Sequence, residues 1–160
     1  MGELVERVDE HDRVVGVVER SEATRQGWLH RIAVTVCRDP EGRILVMRRA
    51  TGIQMPGQTT LMCGGAVDPG ESYEVAAAQE LEEELGVNTL VRHMFKYRCN
   101  TAVSPIWLGV HEAVVTGAVS PDSREIAWHQ WTPEAQVRRL LSDGQFSAHV
   151  EDVFGRYLRS

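Results

Sequence analysis

An α/β fold, a mixed β-sheet sandwiched between α-helices, follows from three features of the 160-residue sequence. Short β-branched runs recur along most of the chain, three segments carry helix signals, and strands and helices do not alternate regularly. Irregular mixing of this kind suits a mixed sheet covered by helices better than a parallel doubly wound one. With 42% hydrophobic and 25% charged residues, the composition is that of a globular domain. No internal repeat, low-complexity tract or linker interrupts it, so residues 1–160 are expected to form a single domain.

Leu4–Val8 and Arg13–Val18 are short β-branched runs separated by Asp9-Glu10-His11-Asp12, and they predict an N-terminal β-ribbon extension within residues 1–24. Ile32–Cys37 and Ile44–Arg48 are stronger strands, joined by a turn that Pro40 and Gly42 dictate. Thr51–Thr60, with Gly52, Pro56 and Gly57, reads as an exposed loop. Ser72 to Leu85 is the clearest helix: Ser72 caps it, Glu74 suits its first turn and Gly86 stops it. Val87–Arg98, Ile106–Val115 and Ile126–Trp131 follow as strands. Pro133 opens a helix to about Leu141. A last helix, from about Gln145 to Leu158, places Phe146, Val150, Val153, Phe154, Tyr157 and Leu158 on one buried stripe.

The net charge of −6 is unevenly distributed. Seven acids and no Lys or Arg lie between Gly65 and Val87, while the other 16 acids face all 17 bases. Such a chain has no basic footprint for nucleic acid. No apolar run approaches the roughly 20 residues of a membrane span. The opening MGELVERVDEH lacks the apolar stretch of a secretory signal. Cys37, Cys63 and Cys99 are odd in number and have no CxxC spacing, so a reducing cytoplasm is the expected setting. The six histidines show no HxH or HExxH spacing, so the sequence offers no zinc motif.

At about 100° per residue, Glu80, Glu83 and Glu84 fall on one face of the Ser72–Leu85 helix. Ala77, Ala78, Leu81 and Leu85 form a separate apolar stripe, and Glu82 points elsewhere into solvent. Like charges at i, i+3 and i+4 each cost a few tenths of a kcal/mol on a bare helix. Water can absorb that repulsion on a solvated face; a cation can absorb it at a site. Oxygen-only ligands favour Mg²⁺ or Mn²⁺ over zinc.

The whole segment resembles the Nudix box: Gly65, five residues, Glu71, seven residues, then Gln79-Glu80-Leu81-Glu82-Glu83-Glu84, Leu85, Gly86 and Val87. Every fixed position of the family pattern matches except one, where Gln79 replaces Arg. The resemblance extends beyond the box to most of the chain, through Leu29-His30-Arg31, Ile44–Ala50 and Glu125-Ile126 ahead of Trp131-Thr132-Pro133-Glu134. It is nearest in layout to the branch that includes isopentenyl-diphosphate isomerase and many uncharacterised hydrolases.

The resemblance implies the Nudix fold and an Mg²⁺-dependent hydrolase, with Mn²⁺ as a substitute. Its substrate would be a nucleoside diphosphate linked to another moiety, or a similar small-molecule diphosphate. By position, Glu80, Glu83 and Glu84 would hold metal, the Gly64 carbonyl would complete the shell, and Glu80 would act as general base. Gly65, Glu71, Gln79 and Gly86 would brace the loop, with Gln79 unable to supply the family's charge to Glu71. Glu125 is a further candidate base or outer ligand. Arg48 and Arg49 point to opposite faces of a strand, so one of them can meet phosphate. The resemblance also implies a homodimer.

Two rival readings stay open. A ligand-binding module with weak turnover is supported by Gln79. An isomerase is suggested by Cys63, but the metal-ligating His expected two residues later is Gly65 here. The choice of leaving group falls to Thr51–Thr60 and Cys99–Pro105.

Overall fold

Residues 2–50 and 59–160 are described by a computed structural model, and their strands form one nine-stranded mixed sheet. In chain order come β1 (Leu4–Val8), β2 (Val14–Glu19), α1 (Arg20–Gln26), β3 (His30–Arg38), β4 (Ile44–Arg49) and β5 (Thr59–Thr60). Then follow β6 (Met62–Ala66), α2 (Tyr73–Leu85), β7 (Arg92–Asn100), β8 (Pro105–Val114), β9 (Ile126–Thr132), α3 (Glu134–Ser142) and α4 (Ala148–Arg159). β3 is the centre: β6 pairs antiparallel on one side and β8 runs parallel on the other, with β7 outside β8. β4 carries a second wing, with β5 and β9 both antiparallel to it.

The run Ile44-Leu45-Val46-Met47 shows why the sheet has helices on both faces. Alternate residues of a strand point to opposite sides. Ile44 and Val46 join the cluster that holds Val150, Val153 and Phe154 of α4 and Val137 of α3. Leu45 and Met47 join Leu81 and Leu85 of α2. A strand buried on both faces reads as a continuous apolar run rather than an alternating one.

Three local expectations are corrected. The N-terminal ribbon ends at Glu19, and Arg20–Gln26 turn into a short helix. Its one buried residue is Ala23, so no apolar stripe betrays it; Gly27 in the left-handed region (φ 70°) closes it. The strand expected over Val87–Arg98 starts later, at Arg92. β6 was not foreseen because Gly64 and Gly65 break its pattern; its partner β3 supplies the order that its own side chains do not. The expected loop Thr51–Thr60 lies mostly outside the described residues, and its last two residues form β5. Ser72 caps α2 as expected, its Oγ accepting from the Val75 N–H at 3.1 Å, and Gly86 (φ 65°) ends it.

Asp12 ties the ribbon to this frame. It is 5% exposed and sits at φ 61° in the β1–β2 turn. Its carboxylate accepts from Arg31 Nε at 2.7 Å, Lys96 Nζ at 2.7 Å and Tyr73 OH at 2.8 Å.

His30 is buried at 2% exposure, and neither ring nitrogen has a hydrogen-bond partner among the described residues. Burial, followed by the nearby Arg20 charge, pushes its pKa down to about 4. The unfolded chain therefore takes a proton near the ordinary value while the folded chain does not. The stability that His30 contributes is complete above the unfolded pKa and is lost as pH falls from 6.5 toward about 4. Between about pH 7.5 and about pH 5, wild type should lose about 2 kcal/mol relative to His30→Leu. Urea melts of both proteins at the two pH values check this, and a constant difference would contradict it.

Candidate active site

Two glycines let α2 close on the sheet. Gly64 and Gly65 of β6 lie opposite Val34 and Ala33 of β3. A Cβ on Gly64 would stand 2.0 Å from the Ala33 carbonyl oxygen, a backbone atom that cannot move aside. A Cβ on Gly65 would stand 2.8 Å from Glu80 Oε1, so the Glu80 carboxylate lies directly against this strand. Leu81 and Leu85 anchor the helix in one apolar cluster and Ala76 and Ala77 in another.

These contacts give the two glycines different mutational signatures. Gly64→Ala should destabilise the protein by about 3 kcal/mol, because rigid backbone must shift. Gly65→Ala displaces only a flexible carboxylate, so it should keep its melting temperature while turnover falls on the order of 10²-fold. Thermal melts and steady-state rates on both variants separate the two effects; equal behaviour would remove the distinction.

The segment between β8 and β9 folds over the end of α2. Ser120 N–H donates to the Leu85 carbonyl and Asp122 N–H to the Glu84 carbonyl, each at 2.8 Å. That docking brings in Glu125, whose carbonyl also accepts from the Ala50 N–H at 2.8 Å. Glu80, Glu84 and Glu125 consequently meet. Burial first, then Glu83 and Glu125, push the Glu80 carboxyl up to about 7. Glu84 rises to about 9, through burial, a hydrogen bond with Glu125 and the Glu80 charge, against a smaller opposing pull from Arg49. Glu84 is 4% exposed, and its Oε2 has no hydrogen-bond partner among the described residues. Glu83 remains exposed, as does Glu82.

Glu84 thus lies on the buried face of α2, deeper than the helical wheel suggested. An orphaned buried carboxylate oxygen among crowded carboxylates suits a hard divalent cation: the donors are all oxygen and the charge is unbalanced.

A cavity of about 660 Å³ adjoins this cluster, lined at the box end by Gly64, Gly65 and Arg49. Ile32, Val34, Met62, Ile106 and Val150 form an aliphatic wall, while Thr101, Val103 and Ser104 bring the Cys99–Pro105 loop to its edge. Of the two adjacent arginines, Arg49 lines the cavity and Arg48 lies over the Trp128 ring at 5.5 Å. Gln79 is exposed, and among the described residues no hydrogen bond joins it to Glu71. Cys63 is 2% exposed, packs with Leu45 and Leu81, and has its thiol pushed up by Cys37 and by burial. The cavity-lining His30, by contrast, was missed, because a lone histidine at a strand start carries no motif.

The model of the NUDIX domain matches residues 28–152, a span that holds the carboxylate cluster and all of the cavity lining except Gly2, Glu3 and residues of α1. The chain belongs to the Nudix family. As a Nudix hydrolase, it is an enzyme acting on diphosphate bonds. An uncharacterised Nudix hydrolase of Streptomyces coelicolor is 42% identical over 98% of this chain and 87% of its own length. An isopentenyl-diphosphate Delta-isomerase of Nocardia farcinica is 37% identical, with 86% of this chain and 83% of that protein covered. A prenyl-diphosphate phosphatase of Methanosarcina mazei is 29% identical over 86% and 84%. In fold, the Nudix chain overlays a Deinococcus radiodurans crystal structure with a TM-score of 0.81 at 24% identity, covering 96% and 98% of the two chains.

Proposed function

We propose that this Nudix protein is a Mg²⁺-dependent hydrolase, with Mn²⁺ able to substitute, that cleaves a diphosphate linkage in a small molecule by water attack on phosphorus. The observation that carries the reading is the buried, unpartnered Glu84 oxygen beside Glu80 and Glu125, at the end of a cavity that Arg49 also lines. Glu80, Glu83, Glu84 and the Gly64 carbonyl would hold the cation, with Glu125 as an outer ligand. Bound there, Mg²⁺ would neutralise phosphate charge and acidify a water.

The chain's own groups supply the rest. Glu80, by its place in the box, would accept the proton of the attacking water. Arg49 offers a charge for a phosphate oxygen at the cavity's box end. Gly65, Glu71, Gln79 and Gly86 shape the loop and helix ends that present the carboxylates, and Arg48, over the Trp128 ring, is a second candidate for phosphate.

The substrate class is a nucleoside diphosphate linked to another moiety, or a similar compound. The aliphatic wall favours a second reading, in which the organic half is a prenyl-like chain that Ile32, Val34, Met62, Ile106 and Val150 would enclose. The related prenyl-diphosphate phosphatase supports it. Against isomerisation stands Cys63, packed in the core with Cys37 rather than facing the cavity.

A panel of nucleoside and prenyl diphosphates, assayed with Mg²⁺, Mn²⁺ and chelator, tests the proposal. Metal-dependent release of phosphate or a nucleoside monophosphate is expected. A rearranged product with its diphosphate intact would show an isomerase, and ligand-dependent melting shifts without turnover would show a binding module.

A further inference from the structure

A second cluster of metal-type ligands lies away from the box carboxylates Glu80, Glu83 and Glu84, where three separate elements meet. Glu74 stands in the first turn of α2, His93 on β7 and His111 on β8, and His93 and His111 are direct cross-strand partners. Glu74, His93 and His111 each direct one ligand atom so that all three atoms lie within 4.8 Å of one another. His93 Nδ1 is 3.4 Å from His111 Nε2 and 3.9 Å from Glu74 Oε1.

The protonation pattern is fixed by the sheet. His111 is fully buried, and its Nδ1 lies 3.1 Å from the Val34 carbonyl oxygen. A carbonyl only accepts, so Nδ1 carries the proton and the Nε2 lone pair faces His93. A ring N–H held by a backbone carbonyl is the arrangement that orients metal-ligating histidines. Burial also keeps His111 below its ordinary pKa, in the neutral form that ligates.

The 3.4 Å separation, at the long end of the hydrogen-bond range, leaves room for a shared ion. A hydrogen bond between ring nitrogens would normally close to about 2.9–3.0 Å. Two nitrogens bound at about 2.0–2.1 Å to one tetrahedral ion stand roughly 3.3–3.4 Å apart. The Glu74 side chain is 51% exposed, so rotation can shorten its contact without disturbing the core. Glu74 and His93 are both exposed, so water can reach the cluster.

We propose that Glu74, His93 and His111 form a zinc-type site, separate from the carboxylates Glu80, Glu83 and Glu84, that binds one Zn²⁺ per chain with water as fourth ligand. Two imidazoles and one carboxylate suit Zn²⁺ or Co²⁺, whereas Mg²⁺ demands oxygen donors. The two sites thereby sort cations by chemistry. Glu74 precedes Glu80 by six residues, about 9 Å along the helix axis. Zn²⁺ would clamp the start of the box helix to the β7–β8 pair, acting as a fastener rather than a participant at the diphosphate. The inference does not depend on the proposed substrate or on turnover.

The test is Zn²⁺ retention by the full chain after dialysis with millimolar Mg²⁺ present to occupy the box, with Co²⁺ absorption as a probe of tetrahedral geometry. Wild type should retain one equivalent of Zn²⁺ and give the intense visible bands of tetrahedral Co²⁺. His93→Ala should weaken Zn²⁺ at least tenfold, and Glu74→Ala should also weaken it. His93→Cys should restore retention with a thiolate-shifted Co²⁺ spectrum. His93 and Glu74 are surface side chains, so metal-free melting temperatures near wild type are expected for these variants. Retention unchanged in His93→Ala, or no Zn²⁺ retained by wild type against Mg²⁺, would overturn the site.

Discussion

Glu84→Gln is expected to reduce Mg²⁺-dependent turnover on the order of 10³-fold, because a held cation supplies several kcal/mol of transition-state stabilisation. The substitution is nearly isosteric, and a carboxyl pushed up to about 9 is already protonated at neutral pH in the metal-free protein, so little charge is removed there. The metal-free melting temperature at neutral pH should therefore not fall. Stabilisation by Mg²⁺, measured as a shift in melting temperature, should shrink in parallel with the rate, since both depend on cation affinity for the folded state. Glu82→Gln is the matched control: Glu82 is exposed on the same helix, and its loss should alter neither quantity. Undiminished turnover in Glu84→Gln would remove Glu84 from the metal shell. Lost turnover with an unchanged Mg²⁺ shift would move its role away from binding.

What the sequence made legible was whatever short-range chemistry encodes. Ser72 and Gly86 bracket α2 because capping is decided within one turn of the helix. The apolar run of β4 announced a strand. The spacing of Glu80, Glu83 and Glu84 placed three carboxylates together before any tertiary contact was known. Depth was not legible, since the groups that crowd Glu84, Glu125 and Arg49 among them, come from other segments of the chain. The same limit hid β6, whose glycines serve close approach to β3 and Glu80 rather than any local preference. It also hid the pairing of His93 with His111, which depends on strand register and not on spacing along the chain. Arg48 and Arg49 show the boundary well: their opposite directions follow from strand geometry, but which of them faces the cavity follows from how β4 sits against β9.

Asp12→Ala is expected to be the most destabilising single surface-to-core change, at about 3–5 kcal/mol, because it strands the partners of a buried ion pair. Arg31 would keep Glu6, at 3.5 Å, and the backbone carbonyl of residue 12, at 2.7 Å, but lose its buried carboxylate, and the Tyr73 hydroxyl would lose its acceptor. Lys96 is 44% exposed and can turn to water, which holds the loss toward the lower end of that range. Backbone and charge can be separated at this position. Asp12 sits at φ 61°, a conformation that Asn and Gly tolerate and Ala does not. Asp12→Asn keeps both the turn and an acceptor, so it should cost only about 1–2 kcal/mol. Asp12→Gly keeps the turn alone, so its excess over Asn reads the lost hydrogen bonds, and the excess of Ala over Gly reads backbone strain. Urea unfolding of the three variants orders them Asn, Gly, Ala by increasing loss. A loss below about 1 kcal/mol in Asp12→Ala would mean that the ribbon is not held through this carboxylate. Because Tyr73 is the first residue of α2, the network couples the ribbon to the helix that carries Glu80 and Glu84. The folded fraction of Asp12→Asn should still turn over at close to the wild-type rate, since none of its lost contacts touches those carboxylates.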